Sequence, residues 1–342
     1  MTAASATAAR ARGARSARGG EFSINWVSTA VILGFCALMV AVPWERMMGT
    51  TYEDRNVYLA TFSSFHPRAV APYTGGVVAF ITNEVLWDSG IRWLSADAGI
   101  PVEALFAVIS FLVLFAFSKY LVGKHGLFSL VFLLNPLVVD FAFSQLRMAL
   151  AVALLLFALY ERERKPPLSL ALVALACLIH TACFLLLFIF FAAKETQRRL
   201  TARKATGFVR WAALAGIGLA VVLVIGPFRS VILTMLKDRR AEYENVSQGI
   251  LYSAFWALLM LTTASERPSY FENEGNALAS AFLAVFVFAT VFHVYNSRFL
   301  AASFPLIISA MLGLSSQKRA LILPLFVINA GAQWYYWMVR AL

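Results

Sequence analysis

The chain has 342 residues, 61% of them hydrophobic and only 14% charged, with a mean hydropathy of +0.74 and a formal net charge of +11. No soluble domain of this size hides so much apolar surface, and runs of about twenty apolar residues, each enough to cross a bilayer core, recur along its length. The helical lengths and the lack of ten-residue alternating segments exclude a barrel, and the excess of Lys and Arg reads as a topology signal, not a nucleic-acid one.

Residues 1–21 form a basic tail of Ala, Gly, Ser and Arg, with Arg10, Arg12, Arg15 and Arg18. Such a segment is expected to be disordered and cytoplasmic. Residues 22–43 are longer than a signal-peptide core and end in Pro43-Trp44-Glu45 with no small-residue cleavage site, so they are the first membrane helix, running outward. Residues 22–342 make a single helical membrane domain of about nine to ten crossings plus re-entrant segments. Residues 44–100 are its one large extramembrane loop, with Tyr52-Glu53-Asp54-Arg55-Asn56-Val57-Tyr58 and Asn83-Glu84-Val85-Leu86-Trp87-Asp88. Within it, residues 69–81 are apolar but short, which fits a re-entrant or interfacial piece.

The second span covers residues 101–122. Residues 126–143 return outward, broken at Asn135-Pro136 because proline removes a backbone donor and clashes with the preceding turn. Residues 145–160 run inward, placing Arg147 near the outer face. Residues 168–191 allow two topologies. A single crossing puts the basic segment after Lys194 outside, with about nine Lys/Arg on each side; a reversal near His180 keeps it inside, with about twelve inside against six outside. The reversal is favoured. It sends 211–228 out, 250–264 in and 277–295 out, so that Arg298 shares a face with Arg147, followed by 299–314 inward and 321–339 outward to Trp334-Tyr335-Tyr336-Trp337.

Ionisable groups at membrane depth are costly, so Arg147, His180 and Arg298 stand out. Arg147 is either a snorkelling edge residue or a fixed cation for an oxyanion, since a guanidinium fork matches phosphate and stays charged. Cys177, His180 and Cys183, three apart, invite a metal reading, but three such ligands drift around a helix; a hydrogen-bonded histidine or a proton relay explains His180 better. Glu53, Asp54, Glu84 and Asp88 are the carboxylates above an outer cavity, with solvated loop charge as the plain alternative for each. There is no HExxH, Walker, GxGxxG or GxSxG motif. The cysteines (Cys36, Cys177, Cys183) lie in apolar segments and imply no disulfide framework.

In this order the elements resemble the EpsG-type, Wzy-like membrane polysaccharide polymerases. The resemblance rests on the Tyr52–Tyr58 segment, Asn83-Glu84-Val85-Leu86-Trp87, Arg147-Met148-Ala149-Leu150-Ala151, His180-Thr181-Ala182 and Arg298. The sequence departs from the family where Val85-Leu86 replaces Pro-Gly and Met148 replaces Gln. The resemblance implies a GT-C-like helical architecture in the plasma (inner) membrane with a cytoplasmic N-terminus. It further implies a glycosyltransferase joining undecaprenyl-diphosphate-linked repeat units into exopolysaccharide or capsule at the outer face. On that reading Arg147 and Arg298 bind the donor diphosphate, Glu84 or Asp54 is the base, and His180 supports the arginine or the phosphate. Tyr52, Tyr58 and Trp87 stack on sugars. No metal or other cofactor is expected; the partners are the lipid-linked oligosaccharide, the bilayer and other polysaccharide-assembly proteins, without nucleic acid. A transporter or flippase of lipid-linked glycans is the competing class, disfavoured by the absence of an internal repeat.

Overall fold

The computed structural model describes residues 25–48, 51–63, 84–228, 250–294 and 297–340. The basic tail, the apolar piece at 69–81 and the segment 229–249 lie outside the described residues. Among those described the chain is all-helical, with no strand. Three helices are long and apolar enough to cross a membrane, and a fourth crossing arises if one bent pair counts as a single span. That is fewer than the nine to ten crossings expected, because Trp26–Ala41, Pro166–Ile179, Tyr252–Ala264 and Ser297–Leu312 are apolar but short.

The first helix, α1 (Trp26–Ala41), starts where the Asn25 side chain accepts a hydrogen bond from the Ser28 N–H at 2.7 Å. Short helices α2 (Trp44–Met48), α3 (Glu53–Ser63) and α4 (Val85–Arg92, extended by a π-helical turn at Trp93–Asp97) follow. The long α5 (Val102–His125) stops at Gly126, whose φ of +79° suits glycine. The expected break at Asn135-Pro136 is present: a 3-10 run, Leu127–Leu134, gives way to α6 (Pro136–Phe143). There Asn135 caps Leu137 N–H at 3.0 Å, and Pro136 occupies the first turn, where its missing donor costs nothing. A 103° bend then leads into α7 (Leu146–Glu161).

Helix α8 (Pro166–Ile179) runs back along α7, tied by Ser169 Oγ donating to Ala158 O at 2.8 Å. Helix α9 (Ala182–Ala202) begins after only His180 and Thr181. If it continued straight, Lys194 would lie about 20 Å beyond the Arg147 end of the bundle, at 1.5 Å per residue. Instead Lys194 Nζ is 3.9 Å from Glu274, which also takes two 2.9 Å bonds from Arg162 at the far end of α7. The chain therefore reverses at His180.

The remaining helices are α10 (Gly207–Ile225), α11 (Ile250–Ala264), α12 (Pro268–Glu272), α13 (Glu274–Val291), α14 (Ser297–Leu312) and α15 (Ser316–Arg340). The bundle thus has two chemically different ends. One gathers Arg162, Lys194, Glu274, Arg210 with Glu272, and Glu266 with Lys318 at 3.2 Å. The other gathers Trp44, Glu84, Arg147, His180 and Arg298.

The core packs through small residues as well as large ones. Trp256 is fully buried against Phe286, Phe304 and Phe326. Helices α10 and α13 approach so closely that a Cβ at Gly218 would lie 2.6 Å from Ala284 Cβ and 2.7 Å from Val285 N. Where lipid is as apolar as leucine, such close backbone approach is a main source of helix association. Gly218→Leu is expected to destabilise the protein by about 1–3 kcal/mol through overpacking, seen as a lower melting temperature in detergent. Gly216→Leu, on open space in the same helix, should leave the melting temperature near that of the wild type.

Candidate functional site

The site is built around one buried carboxylate. Glu84, 5% exposed, sits at the start of α4 in the left-handed region, φ 55° and ψ 42°. A non-glycine residue there is strained by about 1–3 kcal/mol and persists only where its surroundings over-determine it. Here they do. Glu84 Oε2 pairs with Arg147 Nη1 at 2.6 Å, and Oε1 accepts from Thr181 N–H and Thr181 Oγ, each at 3.1 Å, and is hydrogen-bonded to His180 Nδ1.

Each donor is delivered by an irregularity of the helices. The 103° bend before α7 places Arg147 at the mouth of that helix. The extended backbone of His180 (φ −149°, ψ 121°) ends α8, so Thr181 N–H at the start of the next helix points to Glu84. Burial pushes the Glu84 carboxyl up, but His180, Arg147 and the Thr181 N–H outweigh it and hold the group at about 2, below its ordinary 4.5. Glu84 is therefore a fixed anion. The bond to Glu84 takes Nδ1 of the His180 ring, so Nε2 is the nitrogen left for other chemistry.

A second ion pair lies beside the first. Arg298 Nη2 bonds Asp54 Oδ2 at 2.6 Å, with both side chains about one-third exposed. Arg147 and Arg298 both act on the Tyr58 hydroxyl, and the Tyr58 ring lies 5.9 Å from Arg147 Cζ. The structure thus brings Glu84, Asp54, His180, Arg147, Arg298 and Tyr58 together at one end of the bundle.

The aromatic residues correct part of the sequence reading. Trp87 is only 2% exposed and meets the edges of Tyr58 and Phe62, with ring centroids at 5.3 and 6.5 Å. Tyr52 is 4% exposed and stacks on Phe143 at 6.4 Å. Both rings are packed into the wall of the site, and Tyr52 also lines the cavity beside Arg55. The triplet of Cys177, His180 and Cys183 is also divided, because the helix breaks at His180 and its Nδ1 belongs to Glu84. Among the described residues no group of three metal-ligating side chains converges.

Three residues were not singled out by the sequence. Asp140 accepts from Gln145 Nε2 at 2.8 Å, and its charge acts on Tyr52. Arg55 lines a cavity of about 160 Å³ with Trp44, Glu45, Arg46, Tyr52 and Phe143. Buried polar atoms are nearly always satisfied, yet Tyr52 Oη, Arg55 Nε, Trp87 Nε1, Gln145 Oε1 and Arg147 Nε have no partner among the described residues. Half of all such atoms gather at this end of the bundle, a concentration that fits a place for polar matter. The helix break at Ser144-Gln145, with Arg147 just beyond it, was the one available signal, since it aims two polar side chains back at one spot.

Comparison of the chain with family models, with curated proteins and with solved structures gives no match.

Removing the Glu84 carboxylate strands a part-buried guanidinium and the His180 imidazole, so Glu84→Ala should lose roughly 2–4 kcal/mol of stability. Glu84→Gln isolates the charge. A carboxyl held below its unfolded value stabilises fully above pH about 4.5, and that contribution fades as pH falls toward 2. The melting-temperature gap between wild type and Glu84→Gln should therefore shrink as pH falls from about 4.5 toward 2.

Proposed function

We propose that the protein is a membrane glycosyltransferase that polymerises undecaprenyl-diphosphate-linked oligosaccharide units into exopolysaccharide or capsule at the outer face of the plasma membrane. The observation that supports this most is the meeting of two arginines, a histidine and two carboxylates at one end of an apolar helical bundle. A second support is charge asymmetry. Lys124, Lys165, Arg198, Arg199, Lys204, Lys318 and Arg319 lie at the opposite end, which the positive-inside rule assigns to the cytoplasm. On that assignment the N-terminus is cytoplasmic, and the Glu84 site faces outward. The resemblance to EpsG-type polymerases supplies the reaction class.

In this mechanism the acceptor hydroxyl oxygen bonds to the anomeric carbon of the donor while the anomeric C–O bond to the diphosphate breaks. The electron pair leaves on undecaprenyl diphosphate. Arg147 can serve both partners, because only Nη1 is committed to Glu84; its other N–H groups would meet phosphate oxygens, with Arg298 on the second phosphate. Fixed cations aimed at charge that develops in the transition state contribute most when they need no reorganisation, and the Glu84 bond holds Arg147 in place. The acceptor's proton goes to His180 Nε2, with Glu84 orienting the ring through Nδ1, or to Asp54. Glu84 itself is too firmly paired to act as the base. Arginines neutralise the diphosphate, and the scheme uses no metal.

Purified protein supplied with lipid-linked repeat units should produce longer lipid-linked oligosaccharides. Arg147→Lys and Arg298→Lys should each lower the rate at least tenfold at normal protein levels, the loss of one fixed donor costing about 10²-fold or more in comparable sites. His180→Gln should cut turnover more than donor binding. Full chain length in both arginine variants overturns the clamp, and transfer across liposomes without new glycosidic bonds replaces the polymerase with a transporter.

A further inference from the structure

Helices α8 and α9 are joined by only His180 and Thr181, yet they make few direct contacts with each other. Between them, walled by α7, α13 and α14, lies a cavity of about 320 Å³. We propose that this wedge binds an anionic glycerophospholipid from the leaflet at the basic end, with one acyl chain between α8 and α9 and the phosphate at Arg162 and Lys194.

The walls are apolar along their length, with Leu155, Val173, Leu187 and Phe282 among them; the cations Arg162 and Lys194 stand together at one end. Both lie 5.9 Å from the Phe190 ring; they face Glu274 and, at 3.8 Å from Arg162, the exposed Glu163, and with Lys124 also acting on Glu274 the cations outnumber the carboxylates, so the mouth keeps a net positive charge. Lys194 is half exposed and only loosely held by Glu274. The cavity has room for about ten groups of water size at ~30 Å³ each, the scale of part of an acyl chain. Lipid tails are as apolar as these walls, so chain packing alone favours no lipid class; the cationic mouth does.

The lining of the wedge includes none of Glu84, Arg147, His180 and Arg298, and its cations are Arg162 and Lys194. The occupant therefore enters from the basic end, which separates this site from that of the glycosyl donor and makes the inference independent of the reaction catalysed.

Native mass spectrometry of the full-length protein with equimolar dioleoyl phosphatidylglycerol and phosphatidylcholine provides the test. Phosphatidylglycerol should be retained over phosphatidylcholine, and Lys194→Gln, at an exposed position that spares the Arg162–Glu274 pair, should lower that preference about fivefold, as expected for one cation at a membrane surface. Leu187→Trp, which fills the wedge, should reduce retention of both lipids, with a melting temperature near that of the wild type as the folding control. Equal retention of the two lipids overturns the proposal. So does unchanged phosphatidylglycerol binding in Lys194→Gln and Leu187→Trp, or displacement of the lipid by an equal amount of undecaprenyl phosphate.

Discussion

The carboxylate of Glu84 is the constraint on which the site end of the bundle depends. A buried charge is stable only when its desolvation is met by close, well-aimed partners. Glu84 finds them on both oxygens, from α7 and from the break between α8 and α9. The same bonds fix its own left-handed backbone, the rotamer of Arg147 and the orientation of the His180 ring. They also make use of backbone that a regular helix would have consumed. Thr181 N–H is an orphan donor of the kind every helix start leaves behind, and here a side chain from a distant segment satisfies it.

The reversal at His180 has consequences through the depth of the bundle. It returns Lys194 to the level of Arg162, where Glu274 joins α7, α9 and α13 in one ion cluster. It leaves α8 and α9 joined by only two residues and with few direct contacts, and the wedge lies between them. The buried Arg210, bonded to Thr201 Oγ at 3.0 Å and to Ala205 O at 3.1 Å, then closes the turn from α9 into α10. Charge thus builds tertiary structure at both ends of the bundle.

Arg147 and His180 were legible in the sequence because an apolar segment makes an ionisable residue conspicuous. The direction of the chain after residue 168 was legible too: the balance of Lys and Arg favoured a reversal at His180, and the Lys194–Glu274 contact agrees. Glu84 stood among the candidate bases, but its part as the hub was not legible: it lies 96 residues from His180, in a mixed segment, and no periodicity announces a partner so far away. The burial of Tyr52 and Trp87 was hidden for the same reason: both lie in a mixed segment, and composition does not say which side of a segment faces the core. The 3-10 geometry of Leu127–Leu134 was equally silent, since in an all-apolar run the pattern is the same for either helix type.

Asp54 and Arg298 are separated by 244 residues, which sets an order on how the protein is made. At ~5–20 residues per second, roughly 10–50 s pass between the synthesis of the carboxylate and that of the arginine that will hold it. Glu84 meets Arg147 early and His180 soon after, whereas Asp54 must wait until α14 emerges. The nascent chain therefore carries a half-assembled cluster with one unmatched anion for most of its synthesis. Until α14 arrives, Asp54, a carboxylate still about one-third exposed in the finished protein, is held by water instead of by an arginine.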